Sequence, residues 1–196
     1  GILSRTALVQ AGFNIVSLFS PEHGISAKAP DGEAQQNGID QITGLPIISL
    51  YGNKYIPTAQ DVENIDLLLF DIPDIGARFY TYLWTLTYVL EACALYHKQL
   101  IVLDRPNPVS GNFDAAEGPF MDDTTSSFIG RWNIPIKHSS TLGELALYFN
   151  GSKNIGANLT VVPVKNWDRD SFVTDWETNF VPTSPAIQNS NSMLMY

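Results

Sequence analysis

The stretch Ile65-Asp-Leu-Leu-Leu-Phe-Asp-Ile-Pro-Asp-Ile-Gly-Ala-Arg-Phe-Tyr-Thr-Tyr82 decides the fold class. Its apolar run from Leu67 to Phe70 predicts a strand buried on both faces, which ends at Asp71. A proline and a glycine then force a loop before a helical pattern that begins at about Ala77. Ligands of open parallel sheets bind at the carboxyl ends of the strands, so we expect function at this loop.

Strand and helix patterns alternate on both sides of this stretch. Apolar runs predict further strands over residues 14–19, 44–50, 99–103 and 159–164, and helical spacing predicts helices over residues 4–12, 57–62, 77–97 and 142–149. The alternation predicts a three-layer α/β domain with a mainly parallel sheet, over residues 1–181. Residues 27–40 are polar and predict a long surface loop that folds over the ligand. Residues 182–196 predict a linker or the start of a missing C-terminal domain.

Composition excludes several classes of partner. The net charge is −9 and basic residues form no cluster, which argues against nucleic acid or an anionic membrane surface. No apolar run approaches the roughly 20 residues of a membrane span. The single cysteine, Cys93, permits no internal disulfide and is expected to be a buried, inert thiol. No targeting segment is visible, and since Gly1 stands almost inside a helical pattern, we expect the natural N-terminus to be missing.

Acidic residues follow three of the predicted strands. Glu22, Asp71 and Asp104 each lie at or just after a strand end. Because parallel strands end at one edge of a sheet, we expect these side chains to converge there. Each acid alone is also explained as a turn-former or a helix cap.

Glu22 is the strongest single candidate. It stands in the turn Pro21-Glu-His-Gly24, which holds a carboxylate in a fixed pose, and a partly buried carboxyl can act as a general acid near neutral pH. The alternative is that Glu22 caps the loop or pairs with Arg78 or Arg105. His23 either orients Glu22, contacts substrate or is a structural histidine.

Asp71 and Asp74 form a pair of acids on one short loop, and Arg78 can neutralise one of them. Glycoside cleavage requires two carboxylates, one to protonate the leaving oxygen and one to attack or to activate water. Tyr80 and Tyr82 offer aromatic faces for a sugar ring, with helix packing as the alternative.

Several cofactor and nucleophile motifs are absent from the sequence. No Gly-x-Gly-x-x-Gly follows the first strand, and there is no Walker loop, His-Glu-x-x-His, cysteine-rich metal pattern or Gly-x-Ser-x-Gly. We therefore expect no cofactor and no metal. A metal-dependent hydrolase using Glu22, His23 and Asp71 is the alternative.

Over about residues 13–185, the motifs and their order resemble those of a known family, the NamZ-like exo-β-N-acetylmuramidases. The blocks that carry the resemblance are Leu18-Phe-Ser-Pro-Glu-His-Gly24, Thr43-Gly-Leu-Pro46, Ser49-Leu-Tyr-Gly52, Phe70-Asp-Ile-Pro-Asp-Ile-Gly-Ala-Arg-Phe-Tyr-Thr-Tyr82, Leu103-Asp-Arg-Pro-Asn-Pro108, Glu117-Gly-Pro119 and Gly143-Glu-Leu-Ala146. The resemblance implies a bacterial, exported enzyme with a Rossmann-like domain and a smaller C-terminal domain. Such an enzyme releases N-acetylmuramic acid from the non-reducing end of peptidoglycan fragments.

Carried over residue by residue, the resemblance implies that Glu22 is a catalytic carboxylate. The block with Asp71, Asp74 and Arg78 is implied to line the cleft, and further cleft motifs fall on Asp104, Arg105, Asn107 and Glu117. The second catalytic acid is expected to be Asp71, Asp74 or Glu117. His138 matches a His-Gly-x-Thr motif in altered form and is expected to contact substrate. Pro73 replaces a residue that is usually polar in the family. A non-catalytic module that binds cell-wall glycans is therefore the second alternative.

Overall fold

The computed structural model describes residues 2–176 and 180–196. The strands of this part of the chain are β1 (Leu18–Ser20), β2 (Gly38–Ile39), β3 (Pro46–Ser49), β4 (Leu67–Phe70), β5 (Gln99–Leu103) and β6 (Asn158–Val162). Its α-helices are α1 (Ser4–Gln10), α2 (Ala59–Val62), α3 (Thr81–Leu95), α4 (Leu142–Ser152) and α5 (Ser190–Leu194). None of the helices described is long and apolar enough to cross a membrane.

The strands are mainly parallel and lie in two three-stranded sheets. In one sheet β5 pairs in parallel with both β4 and β6. In the other, β3 pairs in parallel with β1 and antiparallel with β2. The predicted α/β class is confirmed, but β2 lies inside the segment predicted to be a loop. This strand has only two residues, both of them exposed, and so it shows no periodic pattern that would indicate a strand.

The prediction that β4 is buried on both faces is wrong. Leu68 and Phe70 are buried, whereas Leu67 is 42% exposed and Leu69 is 36% exposed. The inward face packs with α3 and α4 in one core cluster, which contains Leu83, Trp84 and Phe149 among its fully buried side chains. An unbroken apolar run therefore does not distinguish a half-covered strand from one covered on both sides.

Helix α3 begins at Thr81, four residues later than the predicted start. Ala77 forms an isolated antiparallel bridge with Lys137, and the N–H of Arg78 donates to the carbonyl of Ile136 at 2.7 Å. These contacts hold the loop extended before the helix starts. Cys93 lies on the buried side of α3, so the predicted burial of this thiol is confirmed, and burial raises its pKa to about 12.

The segment after residue 181 packs against the domain. Ile187 and Met193 are buried in a second apolar cluster together with Tyr80 and Tyr82. The Tyr82 hydroxyl also donates to the carbonyl of Thr183 at 2.6 Å. These contacts attach the segment to the start of α3. The position of a boundary with a further domain stays a prediction.

Candidate active site

A cleft of about 180 Å³ opens where the loop after β1 meets the start of α3. Its lining side chains are Glu22, His23, Asp31, Phe79, Tyr80, Thr81, Ile129, Ser184, Ala186 and Tyr196. Four separated parts of the chain therefore contribute: the loop after β1, the start of α3, the turn around Ile129 and the C-terminal segment. Of the residues predicted for the site, Glu22, His23 and Tyr80 line this cleft.

The carboxylate of Glu22 is held by hydrogen bonds to both of its oxygens. Oε1 accepts from the backbone N–H of Gly32 at 3.0 Å, and Oε2 accepts from the Thr81 hydroxyl at 2.7 Å. Thr81 is the first residue of α3, so the carboxylate lies at the positive end of that helix. Glu22 is only 7% exposed, and that exposed part faces the cleft. The alternative that Glu22 pairs with Arg78 or Arg105 is wrong, because both guanidinium groups have other partners.

Tyr51 follows β3 and lies beside Glu22. Burial, together with the neighbouring Glu22 carboxylate, raises the pKa of the Tyr51 phenol. The phenol therefore keeps its proton at neutral pH and can donate to the carboxylate. Tyr51 is not predicted as a site residue, because no local sequence pattern indicates that its hydroxyl lies beside a residue 29 positions earlier.

His23 is held in an unusual backbone conformation next to Glu22. Its φ of 67° lies in the left-handed region, which non-glycine residues seldom occupy. Its Nδ1 lies 3.0 Å from the carbonyl oxygen of Ala29, so Nδ1 carries the proton in the neutral ring and Nε2 is left with a free lone pair. The ring is 4% exposed and lines the cleft. The Nδ1 atom of His23 is therefore bound to the Ala29 carbonyl, and it does not orient the Glu22 carboxylate.

The predicted aromatic faces are largely buried. Tyr80 and Tyr82 are each 3% exposed, with ring centroids 4.9 Å apart in an edge-to-face arrangement. Burial raises the pKa of Tyr80 to about 12 and raises that of Tyr82 further. Only an edge of Tyr80 reaches the cleft, whereas Tyr82 holds the C-terminal segment. Neither ring offers an open face for stacking a sugar.

Asp71 and Arg105, both predicted site residues, form an ion pair. Arg105 Nε and Nη2 lie 2.8 Å and 2.6 Å from Asp71 Oδ1. The other carboxylate oxygen of Asp71 accepts a hydrogen bond from the Ser4 hydroxyl of α1. Both predicted residues therefore bind each other, and they fasten α1 to the loops that follow β4 and β5. Neither lines the cleft around Glu22.

Asp74 and His138 meet in the interior, although 64 residues separate them in the sequence. Asp74 Oδ2 lies 3.1 Å from His138 Nε2, and the side chains are 5% and 1% exposed. Asp74 Oδ2 also accepts from the N–H of Gly76 at 3.1 Å, while His138 Nδ1 accepts from the N–H of Ser140 at 3.3 Å. This pair joins the loop after β4 to the entry of α4, and it lies apart from the side chains that line the cleft.

Arg78 and Asn107 hold backbone segments together. Arg78 Nη1 donates to the carbonyls of Pro119 and Ile134 at 2.8 Å and 2.6 Å. The predicted neutralisation of Asp71 or Asp74 by Arg78 is therefore wrong. Asn107 is 1% exposed, and its side-chain amide donates to the carbonyl of Ser140 at 2.9 Å.

Asp104 fastens the N-terminus of α4. Its carboxylate accepts from the Thr141 hydroxyl at 2.6 Å, from the Gly143 N–H at 2.8 Å and from the Arg105 N–H at 3.0 Å. Desolvation outweighs these hydrogen bonds and raises the pKa of Asp104. The capping box predicted between Thr141 and Glu144 is confirmed.

Glu117 lies at the rim of a second, larger cleft of about 340 Å³. Its side chain is 77% exposed and lies 3.9 Å from Lys137 Nζ. The strand ends thus bring Glu22 to one cleft, while the described positions of Asp71, Asp74, Asp104 and Glu117 are outside it. The catalytic and substrate roles of all these residues stay predictions.

Three cleft residues with polar side chains were not predicted: Asp31, Thr81 and Ser184. The loop of residues 27–40 was expected to fold over a ligand, and its Asp31–Gly32 step is a local turn signal that could have indicated Asp31. No local pattern indicates Thr81 or Ser184, because each reaches the cleft through packing. Among the described residues, no three His, Cys, Asp or Glu side chains form a group that could hold a metal ion.

This chain is an α/β domain of alternating strands and helices. Its candidate site is a cleft with the hydrogen-bonded carboxylate of Glu22 at its centre. The chain belongs to the family described as "Exo-beta-N-acetylmuramidase NamZ, N-terminal", whose model matches residues 3–191. It is 43% identical over 182 residues to the peptidoglycan beta-N-acetylmuramidase NamZ of Bacillus subtilis (strain 168). That match covers 93% of this chain and 44% of the relative.

Two solved structures of DUF1343 family proteins from Bacteroides fragilis have the same fold. The first matches all of this chain with a TM-score of 0.88 and 38% identity, and the second with a TM-score of 0.79 and 35% identity. This chain covers 49% and 52% of those two proteins. The chain thus spans about half the length of the relatives it matches.

Proposed function

We propose that this chain is the glutamate-bearing domain of an exo-β-N-acetylmuramidase that releases N-acetylmuramic acid from the non-reducing end of peptidoglycan fragments. The observation that carries the proposal is the Glu22 carboxylate, fixed by Gly32 and Thr81 at the floor of a cleft. The name of the Bacillus subtilis relative supports the substrate class.

In the proposed reaction Glu22 is the general acid. Oε1 accepts from a backbone N–H, which cannot reverse its direction, so this contact favours an unprotonated Oε1. Oε2 faces the Thr81 hydroxyl, which can accept as well as donate. Oε2 is therefore the oxygen that can carry the proton and transfer it to the glycosidic oxygen as the bond to the sugar breaks.

The size of the cleft bears on what else the enzyme needs. Its volume of about 180 Å³ is below the roughly 300–1,000 Å³ of sites that enclose a small molecule. The lactyl carboxylate of N-acetylmuramic acid needs a cation as partner, and the two arginines of the predicted cleft motifs, Arg78 and Arg105, are bound to other groups. We therefore place the remaining sugar contacts, including that cation, on a C-terminal domain that follows this Rossmann-like one.

A glycan of the cell wall lies outside the cytoplasmic membrane, and we accordingly propose that the protein is exported. Fractionation of the source bacterium, with an antibody against this domain, tests the location. Recovery of the protein in the cytoplasmic fraction alone would contradict it.

The catalytic assignment is tested with the full-length protein and a 4-nitrophenyl N-acetyl-β-muramide. The Glu22→Gln variant keeps the shape of the side chain but cannot protonate a leaving group. On the disaccharide in which N-acetylmuramic acid is β-1,4-linked to N-acetylglucosamine, whose leaving group is an alcohol, we expect kcat to fall about 10²–10⁴-fold. The fall should be smaller on the aryl substrate, because 4-nitrophenolate leaves without a proton. Glu63→Gln, at an exposed position after α2, is the matched control and should keep wild-type kcat. Unchanged turnover of the disaccharide in Glu22→Gln would remove Glu22 from the role of acid. Binding of muramyl ligands without turnover by the wild-type protein would favour the glycan-binding module instead.

A further inference from the structure

A single carboxylate does not complete the chemistry of glycoside cleavage by acid and base. Two carboxyl groups are generally required, on the two sides of the bond that breaks. The acids expected to supply the second group lie elsewhere: Asp71 is paired with Arg105, Asp74 is paired with His138, and Glu117 lies at the larger cleft. Among the described residues, the other carboxylate side chain that lines the cleft is Asp31.

The loop that carries Asp31 is fastened to Glu22 and His23. The N–H of Gly32, the next residue, donates to Glu22 Oε1 at 3.0 Å. The N–H groups of Lys28 and Ala29 both donate to the carbonyl of His23 at 3.0 Å. Asp31 therefore has a defined place relative to Glu22, although it comes from a loop without regular structure.

The two carboxylates have different surroundings. Glu22 is 7% exposed and has donors on both oxygens. The side chain of Asp31 is 75% exposed, and its Oδ1 lies 3.7 Å from His23 Nδ1. That nitrogen is directed at the carbonyl of Ala29, so in the neutral ring it leaves both oxygens of Asp31 open to water. A solvated carboxylate beside a buried one is the division of roles that an acid and a base require.

We propose that Asp31 is the second catalytic carboxylate of this site, and that it acts as the base that activates the attacking water. The inference rests on the proposed glycosidase function. In the step, Asp31 takes a proton from water, the water oxygen bonds to C1 of the sugar, and the bond between C1 and the leaving oxygen breaks. The leaving oxygen takes the proton of Glu22, and exchange with solvent then returns Asp31 and Glu22 to their starting states.

The test compares kcat and KM of the full-length wild-type protein, Asp31→Asn and Asp31→Gly on the aryl N-acetyl-β-muramide. Loss of the base should lower kcat about 10²–10⁴-fold, with KM changed less than about threefold. Sodium formate supplies a small carboxylate that can enter the space left in Asp31→Gly, and it should restore part of the lost kcat. Glu33→Gln removes an exposed acid two residues away in the same loop and should behave as wild type.

Two results would overturn the assignment of Asp31. One is a kcat in Asp31→Asn within threefold of the wild-type value. The other is a loss of kcat that formate does not restore in Asp31→Gly while the melting temperature is unchanged, since Asp31 would then act without supplying a base. A wild-type protein that releases no nitrophenol overturns the proposed function as well, which distinguishes the two failures.

Discussion

The carboxylates of Glu22 and Asp104 accept hydrogen bonds from the same types of donor group, but they lie in different parts of the molecule. Each follows a parallel strand and accepts from one threonine hydroxyl at the start of a helix and from one glycine N–H, which belongs to a loop at Glu22 and to α4 at Asp104. Glu22 lines a cleft at the start of α3, where the N-cap residue Tyr80 provides no side-chain hydrogen bond. Asp104 supports a helix that already has a complete capping box.

Burial does not explain why only Glu22 lines a cleft, because Glu22 is the more buried of the two side chains. The difference lies in the groups that pack around each carboxylate. A Cβ atom on Gly143 would come 2.6 Å from Asp104 Cγ, so the helix is pressed against that carboxylate. At Glu22 the equivalent space is open to the cleft. We therefore expect a variant of Asp104 to lose stability and a variant of Glu22 to lose turnover.

The largest effect on stability should come from Asp104→Ala. It leaves the Thr141 hydroxyl and the Gly143 N–H without their acceptor, and we expect the free energy of unfolding to fall by about 2 kcal/mol. The midpoint of urea denaturation, at constant m-value, measures the change. The turnover of the folded protein should stay within about twofold of wild type.

Asp66→Ala is the matched control, because Asp66 is an exposed aspartate directly before β4. The free energy of unfolding of this variant should stay within about 0.5 kcal/mol of wild type. If Asp104→Ala instead kept its stability and lost turnover, Asp104 would regain the substrate role that sequence analysis gave it.

Local hydrogen bonds could be predicted from the sequence, and distant ones could not. Thr141 and Glu144 are three positions apart, so their capping box was predicted correctly. Asp104 reaches Thr141 across 37 positions, and Tyr82 reaches Thr183 across 101. Nothing in the local pattern predicts such pairs. The contacts of Asp104 with α4 and of the C-terminal segment with α3 could therefore not be predicted.

The same limit explains which parts of the site were predicted. Glu22 was selected because its neighbours in sequence, Pro21 and Gly24, are themselves the turn that positions it. The rule that strand ends gather polar side chains led to Asp71 as well. The rule places a side chain at an edge, but it does not say whether a cation such as Arg105 will neutralise it. Asp31 was missed because it reaches the cleft through the fold of a loop that has no periodic pattern.

A smaller effect, mainly on turnover, is expected from Thr81→Val. The variant removes the hydroxyl that contacts Glu22 Oε2 and keeps the shape of the side chain. Thr81 is a positioning residue, and we expect kcat to fall about tenfold, which corresponds to about 1.4 kcal/mol. Thr81→Ser restores the hydroxyl and should recover most of the loss.

Thr85→Val is the matched control for Thr81→Val. Thr85 is a buried threonine one turn later in α3, and its hydroxyl donates to the Thr81 carbonyl at 3.3 Å without touching Glu22. Both valine variants should lose similar, small amounts of stability. Equal losses of kcat in the two would mean that the hydroxyl supports the helix and not the carboxylate.

The smallest effect should come from Arg105→Ala. The Arg105 side chain is 42% exposed, and solvent weakens its attraction to Asp71, so we expect the free energy of unfolding to fall by less than about 1 kcal/mol. A double-mutant cycle with Asp71→Asn, followed by urea denaturation, measures the coupling between the two side chains. If the pair only fastens α1 to the loops, KM for the aryl muramide should stay within about twofold of wild type. A large rise in KM with no change in stability would show instead that Arg105 leaves Asp71 to bind the lactyl carboxylate, and that the strand ends do form one site when substrate is present.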